Sequence, residues 1–483
     1  MFNTISYIIL FPPAVLVYYL LPKRFRYIWL LAVSWIFYYS RSGGFLLLLA
    51  VSTVITYITG IVLSYTESGG AKKAVTAAAV IVLIGILFIL KYLDFTLGLA
   101  GSRIRFDIVL PLGISFYTFQ AVSYIADVYR GKIRPEKNFL KLALFLSFFL
   151  SIVSGPINRA GDIIPQINAE DDFSFERTKV GMQKMLWGYF LKLAIAGRLS
   201  IIVNNVYADA NARSGFAIAA AAVLYLFMLY CDFEGYSQIA IGSGYILGIR
   251  MKENFRQPFY SASMPEVWRR WHVSLSEWFR DYLYIPLGGS RKGRVRKYVN
   301  IFVVLVVSGI WHGANRTFII WGALNGLFNI AGQLMMPARN AVAGLIAGLM
   351  REGSRLRSFC GRLRVSLQRI GVYLLVSFTF IFFANENTAK AWQAVKGIFT
   401  RFSLSDATEM VTLGLGRFNL ALVLVMMLFV LAADKAAYKR NCDTPALIAD
   451  IPAFWRWTIY YALLTAILFS ANLTGTEFIY SRM

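Results

Sequence analysis

Two segments hold both histidines of this 483-residue chain: SMPEVWRRWHVSLSEWFRDYLYIPLGG at residues 263–289, with His272, and VSGIWHGANRTFIIWGALNG at residues 307–326, with His312. A basic run of Arg291, Lys292, Arg294, Arg296 and Lys297 separates them. No other segment crowds titratable, aromatic and glycine residues so closely. The chain on either side reads mainly as apolar helix, a membrane scaffold for this one piece.

In the first segment, Ser263-Met264-Pro265-Glu266 has capping-box spacing with proline in the first turn, which predicts a helix start. Trp268, Trp271, Leu275, Trp278 and Tyr282 then recur every three or four residues and predict one aromatic face, while Arg269, Arg270, Glu277, Arg280 and Asp281 point elsewhere. Pro286-Leu287-Gly288-Gly289 ends the helix, which suits the membrane interface or the floor of a tunnel. His272 has two readings here: a hydrogen-bonded structural residue, the commoner fate of a lone histidine on such a helix, or a catalyst.

In the second segment, the apolar run 301–311 carries His312 well into the bilayer, where an ionisable residue is a functional candidate by default. Gly309 and Gly313 leave room for a substrate or a second backbone. The neutral imidazole able to take a proton is the form expected there, which makes His312 a candidate general base. Ser308, one turn earlier, reads either as a nucleophile or as a hydroxyl bonding back to its own helix.

Composition sets the surroundings. With 58% hydrophobic residues, 15% charged and a mean hydropathy of +0.58, the chain is too apolar for a soluble protein and reads as a polytopic all-α membrane protein. The net charge of +24 does not imply nucleic acid, because Lys and Arg sit in short segments between apolar runs, where the positive-inside rule places cytoplasmic loops. Cys231, Cys360 and Cys442 are odd in number and far apart, and two histidines without carboxylates at helical spacing make no zinc site, so neither a disulfide framework nor a metal is expected. The N-terminal apolar run has its basic residues after it and is read as a first spanning helix, not a removed signal peptide.

Spans need roughly 20 apolar residues. They are expected at 5–21, 45–65, 74–90, 139–153, 216–230, 370–383, 420–432 and 457–469, with shorter pieces at 27–39 and 328–336, for roughly 11 to 13 helices in all. Residues 27–39 would have to tilt or lie in the interface. Pro111, Gly113, Gln120, Ser123 and Asp127 interrupt the run 111–131, which either packs within the bundle or lines a tunnel. Residues 168–177 read as a loop, and 181–207 as a partly interfacial helix whose Lys184, Lys192 and Arg198 snorkel. Asp232 and Glu234 are expected to pair with arginines of the central stretch, the alternative being direct chemistry. The basic group 351–369 reads as a cytoplasmic loop or surface helix against anionic lipid.

The pattern WRRWHVSLSEWFRDYLYIPLGGSR followed about forty residues later by SGIWHGANRTFIIWG resembles the membrane-bound O-acyltransferase (MBOAT) family, close to its bacterial polysaccharide O-acetyltransferases. The likeness extends through PLGISFYTFQAVSYIADVYRG from Pro111, YCDFEGYSQIAIGSGYILGI from Tyr230, FIFFANENTAKAW from Phe380 and the closing TEFIY. The resemblance implies one domain over residues 1–483, with a catalytic core at about 105–335. It implies a ring of tilted helices around a transmembrane tunnel in which a cytoplasmic acyl donor meets a hydroxyl acceptor from the other side. The family's two marked histidines fall on His272 and His312, with His312 the main catalytic residue. The sequence departs from many relatives at Arg316, where Trp is usual, at Asn325, where a third His is usual, and at Phe382 to Asn385, which read FFAN; these positions are expected to line the tunnel.

The expected function is therefore transfer of an acyl group, most simply acetyl, onto hydroxyls of an exported polysaccharide or cell-envelope glycan. The donor is acetyl-CoA or a carrier thioester acting as co-substrate, with no permanently bound cofactor. Expected partners are membrane lipids, the glycan and an extracytoplasmic SGNH-type protein, with no nucleic acid, and the expected location is the bacterial cytoplasmic membrane. The alternatives are D-alanyl transfer to teichoic acid and, in another class, a transporter or flippase using Asp232, Glu234 and the histidines as a proton relay.

Overall fold

Short polar caps turn the apolar runs into helices: Ser68, Asn138, Ser174, Ser214, Asn315 and Ser354 each accept a hydrogen bond from a first-turn backbone N–H. The computed structural model describes residues 2, 5–169, 171–350 and 352–470. Arg351 of the second basic group and the closing TEFIY (476–480) lie outside the described residues.

In chain order the helices are α1 (Ile5–Leu20), α2 (Lys23–Ser42), α3 (Leu46–Tyr65), α4 (Gly69–Leu99), α5 (Ile114–Tyr129), α6 (Phe139–Ile152, broken at Phe148), α7 (Ala160–Ala169), α8 (Phe175–Ala208) and α9 (Gly215–Leu247). The short α10 (Met264–Arg270) and α11 (Val273–Phe279) follow, then α12 (Arg294–His312), α13 (Arg316–Leu334), α14 (Met336–Gly348), α15 (Arg355–Ala384), α16 (Thr388–Thr400), α17 (Gly416–Arg440) and α18 (Ala453–Ser470). Among the described residues, seven helical stretches are long and apolar enough to cross a membrane, with α2 and α3 taken together as one stretch over 23–65, or eight if the bent pair α13 and α14 forms one span. Large apolar side chains such as Leu10, Ile36, Leu47 and Ile81 point outward, while Gln120, Asn158, Asp434 and Thr56 are buried inside. That inversion of the soluble pattern belongs to a multi-pass membrane protein.

The most extensive helix–helix contact joins α8 and α9. Its seam is built on glycines seven residues apart: a Cβ at Gly181 would lie 2.6 Å from the Gly242 carbonyl oxygen, and one at Gly188 would lie 2.5 Å from that of Gly235. Only backbones stripped of side chains approach this closely. The seam also corrects two expectations. Lys184 and Lys192 do not snorkel; both are buried, in ion pairs with Asp443 and Asp232 respectively. Asp232 therefore pairs with a neighbouring helix and not with an arginine of the central stretch, and Glu234 accepts from Gln238 Nε2 at 2.7 Å. Asp232 thus finds its partner on the helix already packed against it, whereas Lys184 finds its own on the link that follows α17. A π-helical turn at Phe190–Ala196 lies in α8 around Lys192.

Other boundaries move outward. Residues 27–39 belong to α2, whose 20 residues include the basic start at Lys23 and are long enough to span. Residues 216–230 and the following YCDFEG segment form one 33-residue helix, α9. Of the supposed loop 168–177, both ends are helical, in α7 and α8.

The central aromatic helix does not form as a single element. It breaks at Trp271-His272 into α10 and α11, and residues 280–284 continue as a π turn. The cap is also altered: Ser263 is the N-cap residue but makes no side-chain bond, and Glu266 instead accepts from the Ala262 N–H at 2.9 Å and from Arg270 Nε at 2.9 Å. Segment 250–257 docks against the break and explains it. Arg256 N–H donates to the Arg270 carbonyl at 2.9 Å, and Val273 N–H to that of Asn254 at 2.8 Å, taking up groups that a continuous helix would have paired internally.

Candidate active site

His312 is the last residue of α12, and the turn Gly313–Asn315 sends the chain back into α13. The two helices form a tight hairpin because a Cβ at Gly309 would collide with the Phe318 carbonyl, and one at Gly322 with that of Leu305. The room left by Gly309 is thus filled by a second backbone. The final carbonyls of a helix have no following turn to bond. Here α4 supplies the donors: Lys91 Nζ lies 2.7 Å from the Trp311 oxygen, and Tyr92 Oη 3.1 Å from that of Ile310. The imidazole of His312 is 4% exposed and packs edge-on against Trp321 at 5.2 Å and Phe383 at 5.1 Å.

His272 occupies the break between α10 and α11 in the left-handed region, with φ of 44°. A non-glycine residue held there costs on the order of 1–3 kcal/mol and persists only when its surroundings fix it. They do so through a buried polar chain. Asn254 Nδ2 donates to Ser237 Oγ at 2.8 Å, Ser274 Oγ to Asn254 Oδ1 at 2.6 Å, and the Ile157 N–H to Ser274 Oγ at 3.0 Å. The ring packs against Phe233 at 4.7 Å and lies 6.1 Å from the Trp311 ring. Burial pushes the His272 imidazole down to about 3, so it is neutral at physiological pH.

Two cavities meet at His312. One, of about 420 Å³, is lined by Trp268, Arg269, His272, Ser308, His312 and Phe383 among others, with Gln333 on its wall. Lys297 of the basic run donates to Gln333 at 2.5 Å. The other, of about 350 Å³, is lined by Arg41, Lys91, Ser115, Trp311 and His312 and by residues 109–114 at the entrance to α5. Among the described residues, His312 alone lines both, and His272 lines only the first.

Sidedness follows from charge. Helices α2, α4 and α12 each begin with basic residues (Lys23 and Arg24; Lys72 and Lys73; Arg294 and Arg296), and Arg41, Lys91 and His312 lie toward their far ends. The positive-inside rule expects the cavity with His272 on the cytoplasmic side and the cavity with Lys91 on the opposite side.

The structure brings His272 and His312 to one cavity but leaves other candidates outside. Asp232 and Glu234 line neither cavity, and their partners on α8 and α9 account for them. Of the departures from the family pattern, Ala384 and Asn385 line neither cavity, Asn385 being buried and donating to the Ile381 carbonyl at 2.8 Å; Arg316 is exposed at the start of α13, and Asn325 is buried, donating to the Trp321 carbonyl at 2.8 Å. Neither Arg316 nor Asn325 lines either of these two cavities, toward which α13 turns Trp321, Asn329 and Gln333. For the stretch 111–131 both readings apply to different parts: its start forms cavity wall, while Asp127 is buried further along and accepts from Tyr282 Oη at 2.6 Å. Lys91 lies one residue beyond the span expected at 74–90, inside a helix that continues to Leu99. The signal for it was present, a lone ammonium after an apolar run.

A buried imidazole facing two cavities, in a bundle of helices apolar enough to span a membrane, defines a site embedded in the membrane and open on two fronts. Residues 136–343 match the membrane-bound O-acyltransferase family. The chain belongs to that family and is an O-acyltransferase. It is similar to the probable alginate O-acetylase AlgI of Pseudomonas aeruginosa, at 34% identity over 447 residues covering 89% of this chain and 81% of that protein. The counterpart from Pseudomonas fluorescens is 38% identical over 330 residues, 68% of this chain and 65% of that one. The peptidoglycan O-acetyltransferase of Helicobacter pylori is 31% identical over 364 residues, 68% and 69% of the two chains.

Proposed function

We propose that this protein acetylates hydroxyl groups of an exported polysaccharide or envelope glycan at the bacterial cytoplasmic membrane, with His312 as general base. The observation that carries this reading is the position of His312 on both cavities. The imidazole takes the proton of a glycan hydroxyl, and the oxygen attacks the thioester carbonyl of acetyl-CoA or a carrier donor. The C–S bond then breaks, and the thiolate leaves with a proton returned from the imidazolium. A base so placed contributes about 10²- to 10⁴-fold, and the aromatic walls exclude the water that would hydrolyse the donor.

His272 is the second catalytic residue in this reading. Neutral and confined to the cytoplasmic-side cavity, it holds the donor carbonyl. Arg269, exposed at that cavity, is better placed for donor phosphates than Arg291 or Lys292, which line neither cavity. Similarity to a probable alginate O-acetylase and a peptidoglycan O-acetyltransferase supports the glycan acceptor and the acetyl group. An extracytoplasmic SGNH-type protein that handles acetyl groups is the partner this reading expects.

The test is acetyl transfer in membranes from labelled donor to glycan, with His312→Ala as the variant. Loss of transfer in a folded, membrane-inserted variant is expected, whereas transfer at the wild-type rate overturns the base assignment. Release of D-alanine instead of acetate from the modified glycan would replace the acyl group named here with D-alanyl.

A further inference from the structure

Away from the transfer site, α14 and the first half of α15 diverge and leave a groove of about 850 Å³ between them. Its size is within the roughly 300–1,000 Å³ of small-ligand pockets. Val342, Ile346, Leu363 and Leu367 face it and are 45–59% exposed, so the bundle does not cover them. Among the described residues that line it are three arginines and no carboxylate. Arg357 is satisfied by Glu352 at 3.2 Å.

The other two arginines converge. With its carboxamide oxygen turned toward them, Gln368 accepts from Arg339 Nη2 at 2.9 Å and from Arg364 Nε at 3.2 Å, while Arg364 Nη2 donates to Asn340 at 2.8 Å. Two guanidinium groups sharing one neutral amide repel each other and keep donors to spare, an arrangement that an anion between them would relieve.

Depth along α15 sets what that anion is attached to. Arg364 lies 20 residues before Ala384, the far end of the helix, or about 30 Å at 1.5 Å per residue. That is the thickness of a bilayer's hydrocarbon core, so the arginine pair sits at headgroup level with the apolar groove beside it. Basic pockets between helices at the cytoplasmic face recognise anionic lipid headgroups.

We propose that the groove between α14 and α15 binds an anionic glycerophospholipid, its phosphate held by Arg339 and Arg364 and an acyl chain lying on Val342, Ile346, Leu363 and Leu367. A free phosphate would leave the apolar groove empty, and a zwitterionic lipid would bring no net negative charge to the arginine pair.

The full chain, purified in detergent, is tested for retention of dioleoyl-phosphatidylglycerol against dioleoyl-phosphatidylcholine by native mass spectrometry. Phosphatidylglycerol should be retained preferentially. The double variant Arg339→Gln with Arg364→Gln should weaken its retention roughly 10- to 30-fold. Ile346→Trp, which fills the groove and leaves both arginines in place, should weaken it as well. Arg291→Gln with Lys292→Gln removes the same charge elsewhere and should change nothing. Equal retention of the two lipids, an unaltered double variant, equal loss in the Arg291/Lys292 control, or full competition by millimolar inorganic phosphate would each overturn the site.

Discussion

Replacing Lys91 with methionine tests how the imidazole of His312 is held. The ammonium donates to the Trp311 carbonyl at 2.7 Å and lies 3.4 Å from Ser115 Oγ. Methionine keeps nearly the same length and volume but has no donor. Tyr92 would still serve the Ile310 carbonyl, so the damage falls on the residue directly before His312. A buried carbonyl left without its donor costs about 1–3 kcal/mol. The last turn of α12 can escape that cost only by shifting toward another donor, and a displacement on the order of 1 Å at a reacting group costs about 100-fold in rate. Acetyl transfer should therefore fall about 10- to 100-fold, with donor KM little changed because Lys91 lines only the extracytoplasmic-side cavity. Lys91→Arg, which restores a donor, should recover part of the rate. The assay counts base-labile acetate on glycan in membranes of matched expression, with thermal unfolding in detergent run alongside. A Lys91→Met protein transferring acetyl at the wild-type rate would refute the claim that α4 positions His312.

Further expectations concern the second histidine, the seam and the topology. His272→Asn keeps a side chain that tolerates the left-handed backbone and can hydrogen-bond, so measurable transfer should remain, whereas the same change at His312 should leave almost none; complete and equal loss in two folded variants would mean that the histidines act as one unit. Gly188→Ala puts a Cβ 2.5 Å from the Gly235 carbonyl and should destabilise by about 1–3 kcal/mol in a detergent melt, while Gly85→Ala, where a Cβ meets nothing within 4 Å, should be neutral or stabilising. In a background with the native cysteines replaced by alanine, a cysteine at Ser290 should resist an impermeant thiol reagent on intact cells and one at Ile104 should react; the reverse pattern would invert the two cavities.

Much of the scaffold was legible because a bilayer imposes one requirement, internal pairing of every backbone group, that long apolar runs meet by becoming helices. The paired motifs around His272 and His312 were legible for a related reason. Histidines and glycines amid apolar sequence stand out, whatever the fold does with them. Partners were a different matter. Lys192 and Asp232 are 40 residues apart in sequence, Lys184 and Asp443 are 259 apart, and nothing in their local spacing announces either pair.

Sequence by itself determined that this chain spans a membrane repeatedly and which two histidines are candidates for its chemistry, since both depend on composition and local order. Tertiary structure alone decided that the aromatic helix breaks at His272, because the opposing strand of chain at 250–257 competes for its backbone hydrogen bonds. It also decided that Lys91 reaches the end of α12 across 220 residues of chain, and that His312 faces two cavities at once. Those are properties of the space between helices, which is set by how side chains from distant segments pack and cannot be read along any one of them.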